Sequence, residues 1–265
     1  MFKRIFIVVL TIATCCCISC NKKDEPSGGG GGSQEEQKQI VLATMGASLM
    51  YPKNGWVEKA CEQQNIQCLN KAVSSKTVTH FAQQLWGNTY ATEEELKKID
   101  ILLIQFANAG NIYGDSAAML PTADDYTRNY TTFSEELFHE YSYAQRMDYI
   151  MKKWQQICEQ YDKPMYVIFV THWHDGRVVY NEAIRKLTQR WNADLCELDK
   201  NIGFTKDEPL PDGRQPSILY AVDTEFIDSV EFGWHPLRGD EGEEIQTRMA
   251  RILEENLKRY KSLNK

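Results

Sequence analysis

The sequence predicts an α/β fold in which a parallel sheet of about five strands lies between two layers of helices. Short apolar runs alternate with longer amphipathic segments from residue 39 onward, which is typical of repeated βαβ units. The runs 40–45, 100–106 and 164–170 are nearly continuous in apolar residues, as strands buried on both faces require. The chain has 265 residues and no internal repeat, which is enough for one sizeable domain behind an N-terminal extension.

Each predicted element follows from a local signal. The strands are runs of apolar and β-branched residues, and the helices carry apolar residues at helical spacing. Ser134 before two glutamates marks the start of the longest internal helix. The predicted strands are 40–45, 67–73, 100–106, 164–170 and 194–198. The predicted helices are 55–64, 78–85, 92–98, 134–161, 177–191 and 241–263.

The first 38 residues are predicted to direct the protein to its location and to lie outside the folded domain. An apolar run of about ten residues follows a basic start and is too short to span a bilayer of about 30 Å. The sequence Cys-Ile-Ser-Cys at 17–20 is similar to a lipobox with Cys20 as the acylated residue, and the acidic stretch behind it resembles surface lipoproteins of Bacteroides-like bacteria. We therefore expect a signal peptide and lipobox over 1–20, a flexible glycine-rich tether over 21–38 and a folded domain over 39–265. A plain secretory signal with a free Cys20 is the alternative.

Charge and cysteine content restrict the classes of partner. The formal net charge of −7 argues against a nucleic-acid partner. Four cysteines fall in the predicted domain, and the absence of a Cys-x-x-Cys pair there excludes a zinc ribbon and a thioredoxin motif. Cys61 and Cys68 are close in sequence and could form a disulfide in an oxidising compartment, but the spacing leaves this open.

Two residues that could act together stand at opposite ends of the predicted domain. The motif Gly-Ala-Ser-Leu at 46–49 follows the first strand, so it holds the hydroxyl of Ser48 at the carboxyl edge of the sheet. His235 stands in the sequence Gly-Trp-His-Pro just before the last helix. A serine becomes a nucleophile only when a base can take its proton. The sequence thus points to a Ser48–His235 pair.

This placement resembles the SGNH (GDSL-like) hydrolase superfamily. The resemblance covers most of the predicted domain and implies a flavodoxin-like, three-layer αβα fold. It also implies ester hydrolysis by Ser48 with His235 as the base, and neither a metal nor another cofactor. The oxyanion hole would consist of the Ser48 N–H, the Ser75 backbone N–H and the Asn108 side chain, with Asn111 in place of Asn108 if the register slips.

The chain departs from the superfamily's pattern at three positions. Ala47 stands where the pattern has an aspartate, Ser75 stands where it has a glycine, and Phe232 stands where it has the acid three residues before the histidine. The last departure matters most, because the acid orients the imidazole and stabilises its charged form. Glu231 is the first substitute, since it lies one residue from the expected position. The open alternatives are Asp228, Asp240 and a Ser–His dyad held by a backbone carbonyl.

Two further stretches are expected to border the site. The sequence Thr-His-Trp-His-Asp at 171–175 follows the fourth strand, so His172 and Trp173 are predicted to form part of the substrate wall. A zinc site at these histidines is the weaker interpretation, because Asp175 is one residue early for the His-x-His-x-Asp-His spacing of metallo-β-lactamase-like hydrolases. The aromatic stretch 113–133, beginning at Tyr113, could stack on sugar rings or could be a surface loop pinned by its own aromatic residues.

The resemblance and the N-terminal sequence together imply a serine esterase that removes acetyl or similar acyl groups from glycans. Its expected partners are a small-molecule or glycan ester and the outer membrane, reached through a lipid on Cys20. The enzyme would face the periplasm or the cell surface. The alternative is a surface glycan-binding lipoprotein without activity, on a degenerate hydrolase scaffold.

Overall fold

The computed structural model describes residues 38–51, 54–106 and 143–264. The predicted leader, lipobox and nearly all of the predicted tether lie outside these residues, as does the segment 107–142. Within the described part of the chain, no helix combines the length and the apolar composition needed to cross a bilayer.

The predicted fold class is confirmed by a sheet of five parallel strands. The strands are β1 (Val41–Gly46), β2 (Gln67–Leu69), β3 (Ile101–Gln105), β4 (Val167–Val170) and β5 (Asp194–Cys196), in the order β2-β1-β3-β4-β5. Every residue of β1, β3 and β4 is buried, which agrees with the continuous apolar runs in the sequence.

Helices cover both faces of this sheet. They are α1 (Trp56–Gln63), α2 (Val78–Trp86), α3 (Glu93–Lys98), α4 (Tyr143–Gln160), α5 (Val178–Trp191), α6 (Leu198–Asn201) and α7 (Glu243–Leu263). Helix α1 packs against α7, and α2 packs against α4. Right-handed crossovers put α1 on one face and α2 to α5 on the other. Because α7 packs against α1, it belongs to the first of these layers, and the fold has three layers.

Strand β2 is shorter than predicted, and Thr44 explains where it ends. The hydroxyl of Thr44, in β1, accepts hydrogen bonds from the backbone N–H groups of Lys71 at 2.8 Å and Ala72 at 3.1 Å. It also donates to Asn70 Oδ1 at 2.7 Å. A side chain thus takes the donors that would otherwise extend the ladder.

A small antiparallel hairpin follows β5 and was not predicted. Its strands are β6 (Thr224–Ile227) and β7 (Val230–Gly233), and the two residues between them, Asp228 and Ser229, both have positive φ. Such a two-residue turn matches the twist of an antiparallel pair. This hairpin leads directly into the segment that carries His235. Cys61 and Cys68, whose pairing the sequence left open, are both free thiols.

Candidate active site

Ser48 begins a single 3-10 turn, Ser48–Met50, directly beyond β1. The turn is closed by hydrogen bonds from Met50 N to Ala47 O at 3.1 Å and from Tyr51 N to Ser48 O at 3.3 Å. It folds back so closely that a Cβ on Gly46 would lie 2.6 Å from the sulfur of Met50. A larger residue at 46 would therefore have to displace the Met50 side chain and would also lie close to Gln105 O, at 3.1 Å.

The β6–β7 hairpin positions His235. Beyond the last pair of its ladder, Trp234 N donates to Asp223 O at 2.8 Å, and Val222 N donates to His235 O at 2.8 Å. The two strands thus bring Asp223 and His235 side by side, although they are twelve residues apart in sequence. The backbone N–H of His235 also donates to Asp223 Oδ1 at 2.9 Å.

A continuous chain of hydrogen bonds links three side chains. Ser48 Oγ lies 2.8 Å from His235 Nε2. On the other side of the ring, His235 Nδ1 lies 2.9 Å from Asp223 Oδ1 and 2.8 Å from Oδ2. A carboxylate only accepts, so Nδ1 carries the proton and the lone pair of Nε2 faces the serine hydroxyl. This is the tautomer that can take the serine's proton.

The carboxylate at the ring corrects the expectation that Glu231 would stand there. Glu231 Oε1 instead accepts from Thr224 Oγ1 at 2.6 Å, across the hairpin. Asp228, a predicted alternative, lies in the hairpin turn. The other alternative, Asp240, lies in the 3-10 turn before α7. Phe232, at the position where an acid was expected, is buried and stacks on His174 with ring centroids 5.2 Å apart.

The predicted oxyanion-hole residues are only partly within the described chain. Ser75 has φ 62°, the left-handed conformation that glycine adopts freely, so the backbone there keeps the shape that suits the glycine of the superfamily's pattern. Neither its N–H nor that of Ser48 has a hydrogen-bond partner among the described residues. Asn108, its fallback Asn111 and the predicted wall residue Tyr113 lie outside those residues.

His172 and Trp173 do not form a substrate wall, because both side chains are completely buried. Trp173 Nε1 donates to Trp234 O at 2.9 Å. The ring of His172 stacks on Trp234, with centroids 5.5 Å apart and planes 8° apart. The prediction had the correct edge of the sheet, but the segment carrying His235 covers these side chains. His172 and Trp173 pack against the buried side of that segment.

His172, His174 and Glu225 form a group with the spacing of metal ligands, because one ligand atom of each lies within 4.8 Å of the others. Their hydrogen bonds oppose such a role. Nδ1 of His172 accepts from His174 N at 3.4 Å, and Nδ1 of His174 accepts from Gly176 N at 3.1 Å, so the neutral rings carry their protons on Nε2. Both carboxylate oxygens of Glu225 are engaged by the guanidinium of Arg177.

Burial also determines the charge state of these two histidines. It lowers the pKa of His172 well below its ordinary value, and the positive charge that His174 carries when protonated and the charge of Arg177 lower it further. The pKa of His174 is likewise lowered by burial, although Glu225 opposes the shift. Both rings are therefore neutral near pH 7. By contrast, the side chains of His235 and Asp223 are 31% and 49% exposed, so the Ser–His–Asp chain opens to solvent.

Solved structures similar to this chain share its fold at low sequence identity. A protein from Lactobacillus plantarum is 14% identical with a TM-score of 0.50, over 83% of this chain and 97% of that one. A member of the lipolytic protein G-D-S-L family from Veillonella parvula is 14% identical with a TM-score of 0.42, over 83% and 99%. The lipase Lip_vut3 from a goat rumen metagenome is 14% identical with a TM-score of 0.45, over 81% and 96%.

No curated protein matches the sequence. A sequence family does, and its profile extends over residues 37–261, which include every strand of the fold, all but the last two residues of α7 and all three members of the Ser–His–Asp chain. The chain belongs to this family, which is described as a domain of unknown function, DUF5040.

Proposed function

We propose that this protein is a serine esterase with Ser48 as nucleophile, His235 as general base and Asp223 as the orienting acid. The observation that carries the proposal is the pair of hydrogen bonds on opposite sides of the His235 ring, at 2.8 Å to Ser48 Oγ and 2.8 Å to Asp223 Oδ2. A hydroxyl within reach of a base, with that base oriented by a third group, is the arrangement that nucleophilic catalysis requires.

In the first half of the reaction, Ser48 Oγ attacks the ester carbonyl while His235 Nε2 takes the hydroxyl proton. The ring becomes an imidazolium, and its positive charge is stabilised by Asp223 on the other side. The tetrahedral intermediate then collapses. The bond from carbon to the alcohol oxygen breaks, and that oxygen takes the proton from His235. Ser48 is left acylated.

In the second half, a water molecule attacks the acyl-enzyme and gives a proton to His235 Nε2. Collapse of this intermediate returns that proton to Ser48 Oγ and releases the carboxylic acid. The negative oxygen formed in each half needs hydrogen-bond donors. The N–H groups of Ser48 and Ser75, which have no hydrogen-bond partner among the residues described, are proposed as two donors, and Asn108 is proposed as a third.

We infer an ester that is presented on a large molecule, with an acetyl-type acyl group on a glycan as the favoured case. Support comes from the exposure of the Asp223 and His235 side chains, since a site that opens to solvent can receive a group on a polymer. It also comes from the N-terminal sequence, whose proposed lipid on Cys20 would place the enzyme at the outer membrane. A glycan-binding protein without activity is the competing function.

The test is hydrolysis of p-nitrophenyl acetate by the purified protein and by Ser48→Ala and His235→Ala. Each substitution should lower kcat by about 10⁴-fold or more, because the members of such a triad act as a unit. Ser262→Ala and His80→Ala are matched controls, because Ser262 Oγ donates to Arg259 O near the end of α7 and His80 lies on α2. Absence of hydrolysis, together with no labelling of Ser48 by a fluorophosphonate, would favour the binding protein.

A further inference from the structure

Arg238 connects the loop of the histidine to the turn of the serine. It lies three residues beyond His235, yet its guanidinium bonds three carbonyl oxygens on the other side of the site. Nη1 donates to Tyr51 O at 2.9 Å, and Nη2 donates to Ser48 O at 3.1 Å and Leu49 O at 3.4 Å. One side chain thus spans the two segments whose separation sets the distance from Ser48 Oγ to His235 Nε2.

This arginine is not held by an ion pair within the described residues. Burial lowers its pKa, and the charge of Glu58 only partly offsets the effect. The carboxylate of Glu58 bonds Gly55 N at 3.1 Å and Asn70 Nδ2 at 2.6 Å instead. The polar partners of Arg238 are therefore backbone carbonyls of the serine turn, which is a geometry that a forked guanidinium satisfies and a single ammonium does not.

The absence of a side chain at Gly55 leaves space for the guanidinium of Arg238. A Cβ on Gly55 would lie 2.9 Å from Nη1 of Arg238. Because that atom is the far end of a flexible side chain, an alanine at 55 would displace the guanidinium rather than prevent folding. Residue 55 therefore offers a way to disturb the contact without removing the charge.

We propose that Arg238 is a positioning residue that fixes the turn carrying Ser48 against the loop carrying His235. The proposal rests on the esterase function. The serine turn is a single turn of 3-10 helix that is closed by two backbone hydrogen bonds, and the guanidinium of Arg238 adds three contacts to its carbonyls. Displacing the hydroxyl by about 1 Å would cost about 100-fold in rate. Arg238 does not reach the reacting atoms, so its effect is carried by the three carbonyls.

The experiment compares Arg238→Gln, Arg238→Lys and Gly55→Ala with wild type, and uses Arg251→Gln as the matched control. Arg251 lies on the exposed side of α7 and has no hydrogen bond or ion pair among the described residues. The readouts are kcat and KM for p-nitrophenyl acetate, measured at a temperature where each variant is folded. We expect kcat to fall about 100-fold in Arg238→Gln, with KM within about twofold of wild type. The fall should be smaller in Arg238→Lys and Gly55→Ala, and absent in Arg251→Gln.

A role in stability alone would lower the melting temperature of Arg238→Gln and leave its kcat within about twofold of wild type, and that result would overturn the proposal. If Arg238→Gln does not fold, unchanged kcat in both Arg238→Lys and Gly55→Ala would overturn it as well. Wild type that neither hydrolyses the ester nor reacts with a fluorophosphonate would instead refute the esterase function, and this inference with it. The two failures are thus distinguishable.

Discussion

The identity of the orienting acid gives the sharpest prediction. In Asp223→Asn, the amide oxygen can still accept from His235 N, as Asp223 Oδ1 does at 2.9 Å. The amide nitrogen then takes the place of Oδ2, 2.8 Å from His235 Nδ1. A nitrogen donor opposite Nδ1 favours the ring proton on Nε2, and in that tautomer the ring cannot accept the hydroxyl proton of Ser48.

The size of the effect follows from the charge that is lost. At 2.8 Å, opposite unit charges attract by about 1.5 kcal/mol at the dielectric constant of water and by about 6 kcal/mol at an effective value of about 20. Asp223 is 49% exposed, which places it between these limits. A loss of about 3 kcal/mol of transition-state stabilisation corresponds to about 100-fold in kcat/KM, and the wrong tautomer adds to it.

The assay is kcat/KM for p-nitrophenyl acetate in Asp223→Asn and in Glu231→Gln. Glu231 is the matched control, because it lies on the same hairpin and bonds Thr224 rather than the histidine. We expect at least about 100-fold loss in the first variant and no more than about twofold in the second. The reasoning is refuted if Glu231→Gln is the variant that loses activity.

Three further predictions concern stability. Because the folded-state pKa values of His172 and His174 are lowered, the unfolded chain binds protons first below about pH 6.5. Urea unfolding should therefore show stability falling from pH 7 to pH 5, by up to about 1.4 kcal/mol per pH unit for each histidine, and a flat profile would contradict this. Trp173→Phe leaves Trp234 O without its donor and should lower the free energy of urea unfolding by about 1–3 kcal/mol. Unchanged stability with a raised KM would mean that Trp173 contacts substrate. In Gly233→Ala the new Cβ would lie 2.4 Å from Ser217 O. The melting temperature should therefore drop by an amount equivalent to about 1–3 kcal/mol of unfolding free energy. A melting temperature equal to that of wild type would show that the backbone moves aside without cost.

Much of the fold was predictable because its signals are local. The buried strands are continuous apolar runs, and β1 and β3 lie within a residue of their predicted bounds. Ser48 and His235 were predicted as a pair from their places after the first strand and before the last helix. The ends of parallel strands meet at one edge of a sheet, so such places carry information about distance in space.

Asp223 was missed because its contact with His235 depends on the hairpin, whose pairing is not local. A signal was present in the sequence. The apolar residues Ile227 and Val230 flank the turn pair Asp228-Ser229, as a two-residue hairpin requires. The same omission explains the error at His172 and Trp173. The strand end was predicted, but the segment that covers those side chains was not.

The hairpin between Asp223 and His235 also affects how relatives of this chain can differ in length. Because Trp234 N bonds Asp223 O and Val222 N bonds His235 O, the acid and the base are joined at the base of the ladder and do not depend on its tip. Residues can be added or removed at the tip in pairs, one on each strand, without separating the two side chains. We expect the number of residues between acid and base to vary by even numbers among relatives. A sequence pattern that fixes this spacing would then miss relatives in which the serine, histidine and aspartate are all in place.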